Sequence, residues 1–514
     1  MSSQEHRQAD DAYIQADEAE EIFHRDEDQP MESDGEDEDQ PMTYEEQEIT
    51  LENDSAAHFD SHTDSVFCIA QHPVHNQIVI TGSGDDKAYI FDSTPNAARP
   101  LLPQSYESNP QPKQERESLQ PLAQLVGHTD TVNAVAFTEP KGEYVVTAGL
   151  DGKLRAYRDS TPQLTGVAWE LVAETQEVEE INWLAVCPNV NGDEEKKNVV
   201  AIGANDGSAW VFRIDHTDAA QPISIIQTFF QHTASCTAGA WTPDGNLLGT
   251  VSEDGSFYVY DVFGVAAAAG VASAAGTSTV VGLTPEDQRF AVDGGLYSIA
   301  ISPGGAIAAV GGAEGHIKVV GLPRLAAAGG AAAGKAKGKA ASQAQTGASA
   351  AGTLLASLQA QSDGVETLSF SSPPLTLLAA GSVDGSIALF DAAHRFAVRR
   401  HIREAHEGAV VKVEFLQNRP GVGSAPPRPG AAVPQSQSWL LTTVGMDGIV
   451  RRWDARGGTA AAAHGLLKEW KGHLGLIENS EGEQSGGIMA FVQSQDGKRV
   501  VTAGDDGISL VFEE

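Results

Sequence analysis

Residues 441–454, LTTVGMDGIVRRWD, decide the fold of this chain. Apolar residues lead into a turn of small residues that contains an acid, Asp447, and an alternating strand follows. Residues 145–159, VVTAGLDGKLRAYRD, have the same order, with Asp151 in the turn. An apolar run, a tight polar turn and a second run at a fixed offset predict two antiparallel strands joined by a hairpin turn.

The unit recurs eight times along the chain. Its turn acids are Asp85, Asp151, Asp206, Asp254, Glu314, Asp384, Asp447 and Asp506. The residues six positions after these acids are Phe91, Tyr157, Phe212, Tyr260, Val320, Phe390, Trp453 and Phe512, of which seven are aromatic. Such self-similarity indicates a repeat architecture, in which each unit buries its apolar face against its neighbours.

A second regularity accompanies five of the eight units. Each of these five has a Thr four residues before its turn acid: Thr81, Thr147, Thr250, Thr443 and Thr502. The same five have a His upstream: His62, His128, His232, His406 and His473. This co-occurrence predicts a buried hydrogen-bond chain in which His, Thr and the turn acid satisfy one another. Because the set repeats, we interpret it as a structural device and not as a catalytic triad.

The dipeptides Gly127-His128, Gly472-His473 and Trp453-Asp454 are those of WD40 repeats, which the chain resembles from about residue 50 to residue 514. The resemblance implies an all-β fold, an eight-bladed WD40 β-propeller of four-stranded antiparallel blades, which we assign to residues 49–514. The chain ends directly after its last strand, LVFEE, so we expect ITLENDSAAHF (residues 49–59) to complete the last blade. A closed ring also predicts a monomer.

Two kinds of segment fall outside the repeat. Residues 1–48 hold 19 acids against Arg7 and Arg25, which predicts a disordered acidic tail, either solubilising or a transient contact for a basic partner. Low-complexity inserts at about 93–120, 264–290, 322–353 and 418–437 predict surface loops. The third carries Lys335, Lys337 and Lys339, a weaker candidate for an RNA contact.

Composition restricts the function. A net charge of −38 repels nucleic acid and anionic lipid and favours basic partners. No signal peptide or long apolar run is present, so we expect a cytoplasmic protein without a membrane span. No catalytic motif stands out, and Cys68, Cys187 and Cys236 show no zinc-ligand spacing. We therefore expect no enzyme activity, no catalytic residue, no metal and no cofactor, and no direct binding of nucleic acid.

The repeat alignment predicts an acidic site at the top opening of the channel. We expect the inner strands to begin at Val66, Val132, Val178, Cys236, Leu296, Val365, Val410 and Ile488. The acids placed beside these positions or beside the turn acids are Glu177, Glu179, Glu180, Glu253, Asp363, Glu366 and Asp505, and their aromatic or apolar neighbours include Phe67, Tyr297 and Met489. Clustered carboxylates repel one another, and a basic ligand would relieve that repulsion. The alternative is an ordinary solvated acidic surface.

Three segments resemble a narrower group. HTDSVFCIAQHP (62–73), QEVEEINWL (176–184) and VTAGDDGISLVFEE (501–514) are similar to the WD-repeat chaperones dedicated to one large-subunit ribosomal protein, number ten or universal number sixteen, and to angio-associated migratory cell protein. The resemblance implies capture of the client's basic N-terminal segment, on or off the ribosome, in support of late 60S assembly. By the same resemblance, Glu177, Glu179, Glu180 and Glu366 are expected to bind this segment. The competing hypotheses are a scaffold for histone tails or signalling partners, and an enzyme built on a propeller.

Overall fold

The structure is a computed structural model. It describes residues 52–95, 117–160, 169–271, 278–325, 351–417, 437–456, 465–478 and 484–514. The predicted acidic tail at 1–48 and most of the predicted inserts at 93–120, 322–353 and 418–437 lie outside the described residues.

The described residues form eight four-stranded antiparallel sheets, which confirms the predicted eight-bladed propeller. Each sheet is one blade, and its strands are given from the channel outward. Blades 1 to 4 contain β2 Val66–Gln71, β3 Ile78–Ser83, β4 Ala88–Asp92 and β5 Pro121–Leu125; β6 Val132–Phe137, β7 Tyr144–Gly149, β8 Lys153–Asp159 and β9 Trp169–Gln176; β10 Ile181–Val186, β11 Val199–Ala204, β12 Ala209–Ile214 and β13 Ile223–Phe229; β14 Cys236–Trp241, β15 Leu247–Ser252, β16 Phe257–Asp261 and β17 Thr279–Leu283. Blades 5 to 8 contain β18 Leu296–Ile301, β19 Ile307–Gly312, β20 His316–Gly321 and β21 Leu354–Gln359; β22 Val365–Phe370, β23 Leu377–Ser382, β24 Ile387–Asp391 and β25 Ala397–Ile402; β26 Val410–Phe415, β27 Leu440–Gly445, β28 Val450–Asp454 and β29 Leu466–Trp470; β32 Ile488–Gln493, β33 Arg499–Gly504, β34 Ser509–Glu513 and β1 Ala57–Phe59.

The two ends of the described chain close the ring within blade 8. Strand β1 pairs antiparallel with β34, Ala57 opposite Val511 and Phe59 opposite Ser509. Each innermost strand contacts the innermost strand of the next blade, and β32 contacts β2. The predicted pairing of the segment before the first repeat with the last strand is therefore confirmed, over three residues.

Burial explains why the repeat unit is so apolar. The second strand of each blade lies between two neighbouring blades, and in β3, β7, β11, β15, β23 and β27 every residue is buried. Outer strands are only partly covered, and in β21 half-buried and exposed residues alternate. A strand covered on both faces has a continuous run of apolar residues, whereas in a strand covered on one face apolar and polar residues alternate.

The turn between the second and third strands also follows from its residues. In seven blades the residue after the turn acid is a Gly with positive φ, for example Gly152 at 72°. A Cβ on Gly152 would approach the carbonyl oxygen of Val178 to 2.1 Å, so a side chain there must displace the next blade. Blade 1 has Asp86 at this position, with φ 61°. Asp tolerates this left-handed conformation better than most residues do.

The prediction that residues 264–290 form only a surface loop was wrong. This stretch contains a short helix, α1 Val265–Ala268, and the outer strand of blade 4, β17. Ala266 and Phe290 are buried in the same core cluster as Val281 of β17. The extra length precedes the strand, and the strand is needed because it pairs with β16. The remaining elements are 3₁₀ turns at Ala313–Gly315 and Ala392–His394, and a small hairpin of β30 Ile477–Glu478 and β31 Gln484–Ser485.

Candidate functional site: an acidic rim around the channel

A hydrogen-bond chain holds the top of the five blades that carry the histidine. In blade 2, His128 Nε2 lies 2.8 Å from Thr147 Oγ1 and its Nδ1 lies 2.9 Å from Asp151 Oδ1. The same arrangement joins His62, Thr81 and Asp85; His406, Thr443 and Asp447; and His473, Thr502 and Asp506. In blade 7 Trp453 Nε1 also donates to Thr443 Oγ1, at 2.9 Å.

Blade 4 departs from the predicted direct contact between His and the turn acid. His232 Nε2 lies 2.7 Å from Thr250 Oγ1, but its Nδ1 lies 2.6 Å from Ser256 Oγ and 3.8 Å from Asp254 Oδ1. Ser256 Oγ in turn donates to Asp254 Oδ1. The serine therefore extends the chain by one hydroxyl. The other four units that carry the histidine have Lys or Ile two residues after the turn acid, and these side chains cannot act as such a bridge.

Burial sets the protonation state of this chain. It lowers the pKa of His62, His128, His232 and His406, that of His232 to about 4, so these imidazoles are neutral at neutral pH. Burial opposes ionisation of Asp151 as well, but hydrogen bonds from His128 and two backbone N–H groups hold the pKa of that carboxyl below its usual range. The turn acids are therefore charged, hydrogen-bonded parts of the framework.

The turn acids also position the loops that enter the inner strands. In blade 2, Asp151 Oδ2 accepts the backbone N–H of Thr129 at 3.0 Å. The equivalent bond in blade 6 runs from Ser362 N to Asp384 Oδ2, at 2.8 Å, although Gln361 replaces the histidine. Gln361 Nε2 instead donates to the carbonyl of Ser386, at 2.9 Å. The loops are thereby held at the channel mouth before any partner binds.

The register of blade 3 corrects the alignment used to predict the site. Val66 begins β2 opposite Ser83, and the residue in that register in blade 3 is Ile181, opposite Ala204. The inner strand therefore begins at Ile181, and the prediction that it begins at Val178 was wrong. Val178 lies before the strand and is buried. It has the position that His232 has in blade 4. The evidence is that Gly152 packs against the carbonyl of Val178, as Gly207 packs against the carbonyl of His232.

This register identifies two acids that the prediction missed. Glu179 and Asp363 lie two residues before the first residue of their inner strands, and so do Asp64 and Asp130. Asp64, Asp130 and Asp363 share one geometry, in which Oδ1 accepts the following backbone N–H at 2.7 Å. The signal was present in the repeated phrases TDSV, TDTV and SDGV. We define the acidic rim as Asp64, Asp130, Glu177, Glu179, Glu180, Glu253, Asp363, Glu366 and Asp505.

Blades 4 to 6 bring Glu253, Tyr297 and Glu366 into one electrostatic neighbourhood. A Cβ on Gly295 would lie 2.9 Å from the Cα of Glu253, which places Glu253 beside the loop that leads to Tyr297. Desolvation, then the charges of Glu253 and Glu366, raise the pKa of Tyr297, whose hydroxyl donates to the carbonyl of Gly294 at 2.5 Å. Desolvation and the charge of Asp363 raise the pKa of Glu366. The charged form of Glu366 is therefore disfavoured in the free protein.

The other predicted site residues lie around the same mouth. Glu177, Glu179 and Glu180 are exposed, and Glu177 Oε1 accepts the hydroxyl of Thr175 at 2.8 Å. Asp505 Oδ2 accepts the N–H of Gly486 at 2.5 Å, and the carbonyl of Asp505 accepts the hydroxyl of Ser65, which joins blades 8 and 1. The half-buried nonpolar side chains are those of Phe67, which lies next to Asp64 at Gly84, and Met489.

Ion pairing separates the rim from the turn acids. Lys87, Lys153 and Arg451 lie within 4 Å of the turn acids of their own blades, Asp85, Asp151 and Asp447. Among the described residues, no Lys, Arg or His forms an ion pair with any member of the acidic rim. Within the part of the chain that the structure describes, the carboxylates of the rim therefore have no counter-charge.

The fold and this site define the class of protein. The WD domain, G-beta repeat family (WD40) matches residues 53–92, 119–158, 223–261 and 352–391, four of the eight repeats that form the blades. The chain is a WD-repeat propeller with an acidic rim around its channel. In the described part of the chain, no helix has the length and apolar character needed to cross a membrane.

Individual relatives narrow this class. The crystal structure of Chaetomium thermophilum Sqt1 bound to the N-terminus of ribosomal protein L10 is 48% identical, with a TM-score of 0.70, and covers 90% of this chain and 100% of that chain. The ribosome assembly protein SQT1 of Saccharomyces cerevisiae is 32% identical over 192 residues, a stretch that spans 37% of each chain. Human angio-associated migratory cell protein is 24% identical over 90% of this chain and 80% of its own. The chain belongs to the Sqt1 family of WD-repeat proteins.

Proposed function

We propose that this protein is a dedicated chaperone for a large-subunit ribosomal protein of the L10 kind. It captures the basic N-terminal segment of that client on the acidic rim and keeps it available for late 60S subunit assembly in the cytoplasm. The activity is binding, and it needs neither a cofactor nor a catalytic residue. A monomer suffices, because the ring supplies the whole rim.

The unpaired charge of the acidic rim carries this proposal. Two like charges 4 Å apart repel by about 1 kcal/mol in water and by more where solvent is partly excluded. Desolvation and, after it, the charge of Asp363 raise the pKa of Glu366, which is consistent with such a cost in the free protein. Lys and Arg of a client would remove it. The C. thermophilum relative, whose structure is described as bound to the L10 N-terminus, supports the same class of ligand.

The chemistry of capture follows from the groups at the rim. Arginine pairs with carboxylates in a bidentate fork, so it suits Glu253, Glu366 and the acids of blade 3. Phe67, Tyr297 and Met489 provide half-buried surface for the aliphatic stems of the same side chains. The negative potential of the rim attracts a positively charged client segment, which raises the association rate and makes that rate sensitive to salt. Release requires a competitor with more negative charge, such as the client's site on ribosomal RNA.

The test measures binding of a synthetic peptide of the L10 N-terminal segment at low and at high salt. One variant carries Glu179→Lys and Glu366→Lys, and the matched control carries Glu170→Lys, an exposed acid on the outer strand β9. We expect the rim variant to lose at least tenfold in affinity and part of its salt dependence, and the control to bind like the unmodified protein. Equal affinity of both variants would place the client elsewhere.

A histone-tail peptide of equal charge separates this function from the scaffold hypothesis. The rim charge alone attracts any basic segment, so weak, salt-sensitive binding of the histone peptide is expected. Selective binding of the L10 peptide, by tenfold or more at moderate salt, supports the dedicated chaperone. Equal or tighter binding of the histone peptide would favour the scaffold.

A further inference from the structure

The loop that enters blade 8 is longer than the equivalent loops of blades 1, 2, 4 and 7. Four residues separate His62 from Val66, the start of its inner strand, and the same spacing holds in blades 2, 4 and 7. In blade 8, fifteen residues separate His473 from Ile488. The additional residues include the β30–β31 hairpin. Since this loop enters an inner strand, the insertion lies on the face of the acidic rim.

The insertion carries exposed apolar side chains. Leu474 is 43% exposed, Leu476 36% and Ile477 49%. We call these three residues the apolar patch. The other exposed large apolar residues of the described chain are scattered singly, which is normal for a protein surface, whereas three within four residues are not.

The framework of the rim holds the apolar patch in place. Leu474 N donates to Asp506 Oδ2 at 3.3 Å, so the first residue of the patch belongs to the hydrogen-bond chain of blade 8. Gly487 N donates to the carbonyl of Leu474, at 2.8 Å, and closes the base of the insertion. A Cβ on Gly408 would lie 3.1 Å from Leu476 Cδ1, so Leu476 lies against the rim loop of blade 7.

Carboxylates border the patch. Glu407 is exposed and immediately precedes Gly408. Asp505 of the acidic rim accepts the N–H of Gly486, within the insertion. An occupant of this corner must therefore present an apolar group beside a cation. A second copy of this chain is disfavoured by the net charge of −38, as is an anionic membrane surface.

We infer that the apolar patch binds an aliphatic or aromatic side chain of the same basic segment that the acidic rim captures. The inference rests on the proposed function and deepens it. Carboxylates alone would accept any cationic segment, whereas an apolar contact at one end of the rim selects segments that place an apolar residue at a set distance from their Lys and Arg. The patch is thus a specificity element for the client.

The test compares two peptides and two variants of the full chain. One peptide is the L10 N-terminal segment, and the other keeps every Lys and Arg but has its apolar residues replaced by Gly. The variant is Leu476→Ser with Ile477→Ser, and the control is Leu467→Ser, since Leu467 is 52% exposed on the outer strand β29. All six combinations are titrated at two salt concentrations.

We expect the patch variant to bind the unmodified peptide about tenfold more weakly, with the same salt dependence, because apolar burial is lost and no charge changes. It should bind the Gly-substituted peptide as the unmodified protein does, and the Leu467→Ser control should show no loss.

Three results would overturn the inference. The first is a patch variant that binds the unmodified peptide normally, and the second is one that loses affinity equally for both peptides. The third is a concentration-dependent dimer of the unmodified protein in sedimentation that the variant abolishes, since the occupant would then be a second copy. If the unmodified protein binds neither peptide at low salt, the proposed function itself fails and the inference fails with it.

Discussion

Phe59 packs across the seam between the first and last blades. Its strand, β1, belongs to blade 8 by hydrogen bonding, but the ring of Phe59 stacks on Phe91 of blade 1, with centroids 4.3 Å apart and planes within 9°. Phe59 is fully buried and also contacts Tyr89 edge to face, at 5.6 Å. This side chain therefore contributes to closure of the ring, together with the contact of β32 with β2 and the Ser65–Asp505 hydrogen bond.

The predicted perturbation is Phe59→Ala. Removal of a fully buried phenylalanine costs about 3–5 kcal/mol, because the lost transfer free energy adds to that of the cavity. β1 has only three residues, so Phe59 is a large part of what this strand buries. We expect a loss of about 4 kcal/mol in the local stability of blade 8, and under about 1 kcal/mol for Phe230→Ala, because Phe230 is 65% exposed.

Native-state hydrogen exchange measures this directly, since it reports opening of the seam separately from unfolding of the other blades. A loss of 4 kcal/mol corresponds to roughly a thousandfold lower protection of the amides of β34. Protection of β34 that changes less than fivefold, with the other blades unaffected, would refute the claim that Phe59 contributes to closure of the ring.

Two further predictions concern titrating groups. The pKa of Glu366 is raised, so its charge destabilises the free protein above that pKa and has no effect below about pH 4, where the carboxyl is protonated. Glu366→Gln should therefore raise the melting temperature at pH 7 but not at pH 4. A lower melting temperature of this variant at pH 7 would contradict the prediction. The pKa of His232 is lowered to about 4 from an ordinary 6.5, so its contribution is present above pH 6.5 and is lost as the pH falls towards 4, by roughly 3 kcal/mol in all. His232→Gln should flatten the stability profile in that window, and a variant whose profile keeps the slope of the unmodified protein would exclude His232 as the source.

Much of the framework could be read from the repeat because its interactions are local or recur at a fixed offset. Each hairpin between the second and third strands contains the turn acid, the Gly or Asp after it and, in seven of the eight blades, the aromatic residue six positions later. These residues recur at fixed offsets because the hairpin has the same register in each blade. The His-Thr-Asp chain was visible because it recurs. The bridge through Ser256 was not, since it occurs in one blade.

The residues of the rim were harder to predict from the sequence, because they lie in loops whose lengths differ between blades. The loop before β10 is one residue shorter than in blades 1, 2, 4 and 7, and the strand begins at Ile181 and not at the predicted Val178. The strand β17 lay within a stretch of low complexity. The apolar patch lies in an insertion that blades 1, 2, 4 and 7 lack. Asp64 and Asp130 could have been found from their phrases, but only register shows that they share a position with Asp363.

The sequence by itself determined the eight hairpins, the apolar second strands and the excess of negative charge, because backbone preference, burial period and composition are properties of short segments. The tertiary structure alone decided which carboxylates lie around the channel opening and have no counter-charge among the described residues. The rim acids come from loops some 60 residues apart in sequence, such as those of Asp64 and Asp130. Only closure of the ring brings these loops to one opening.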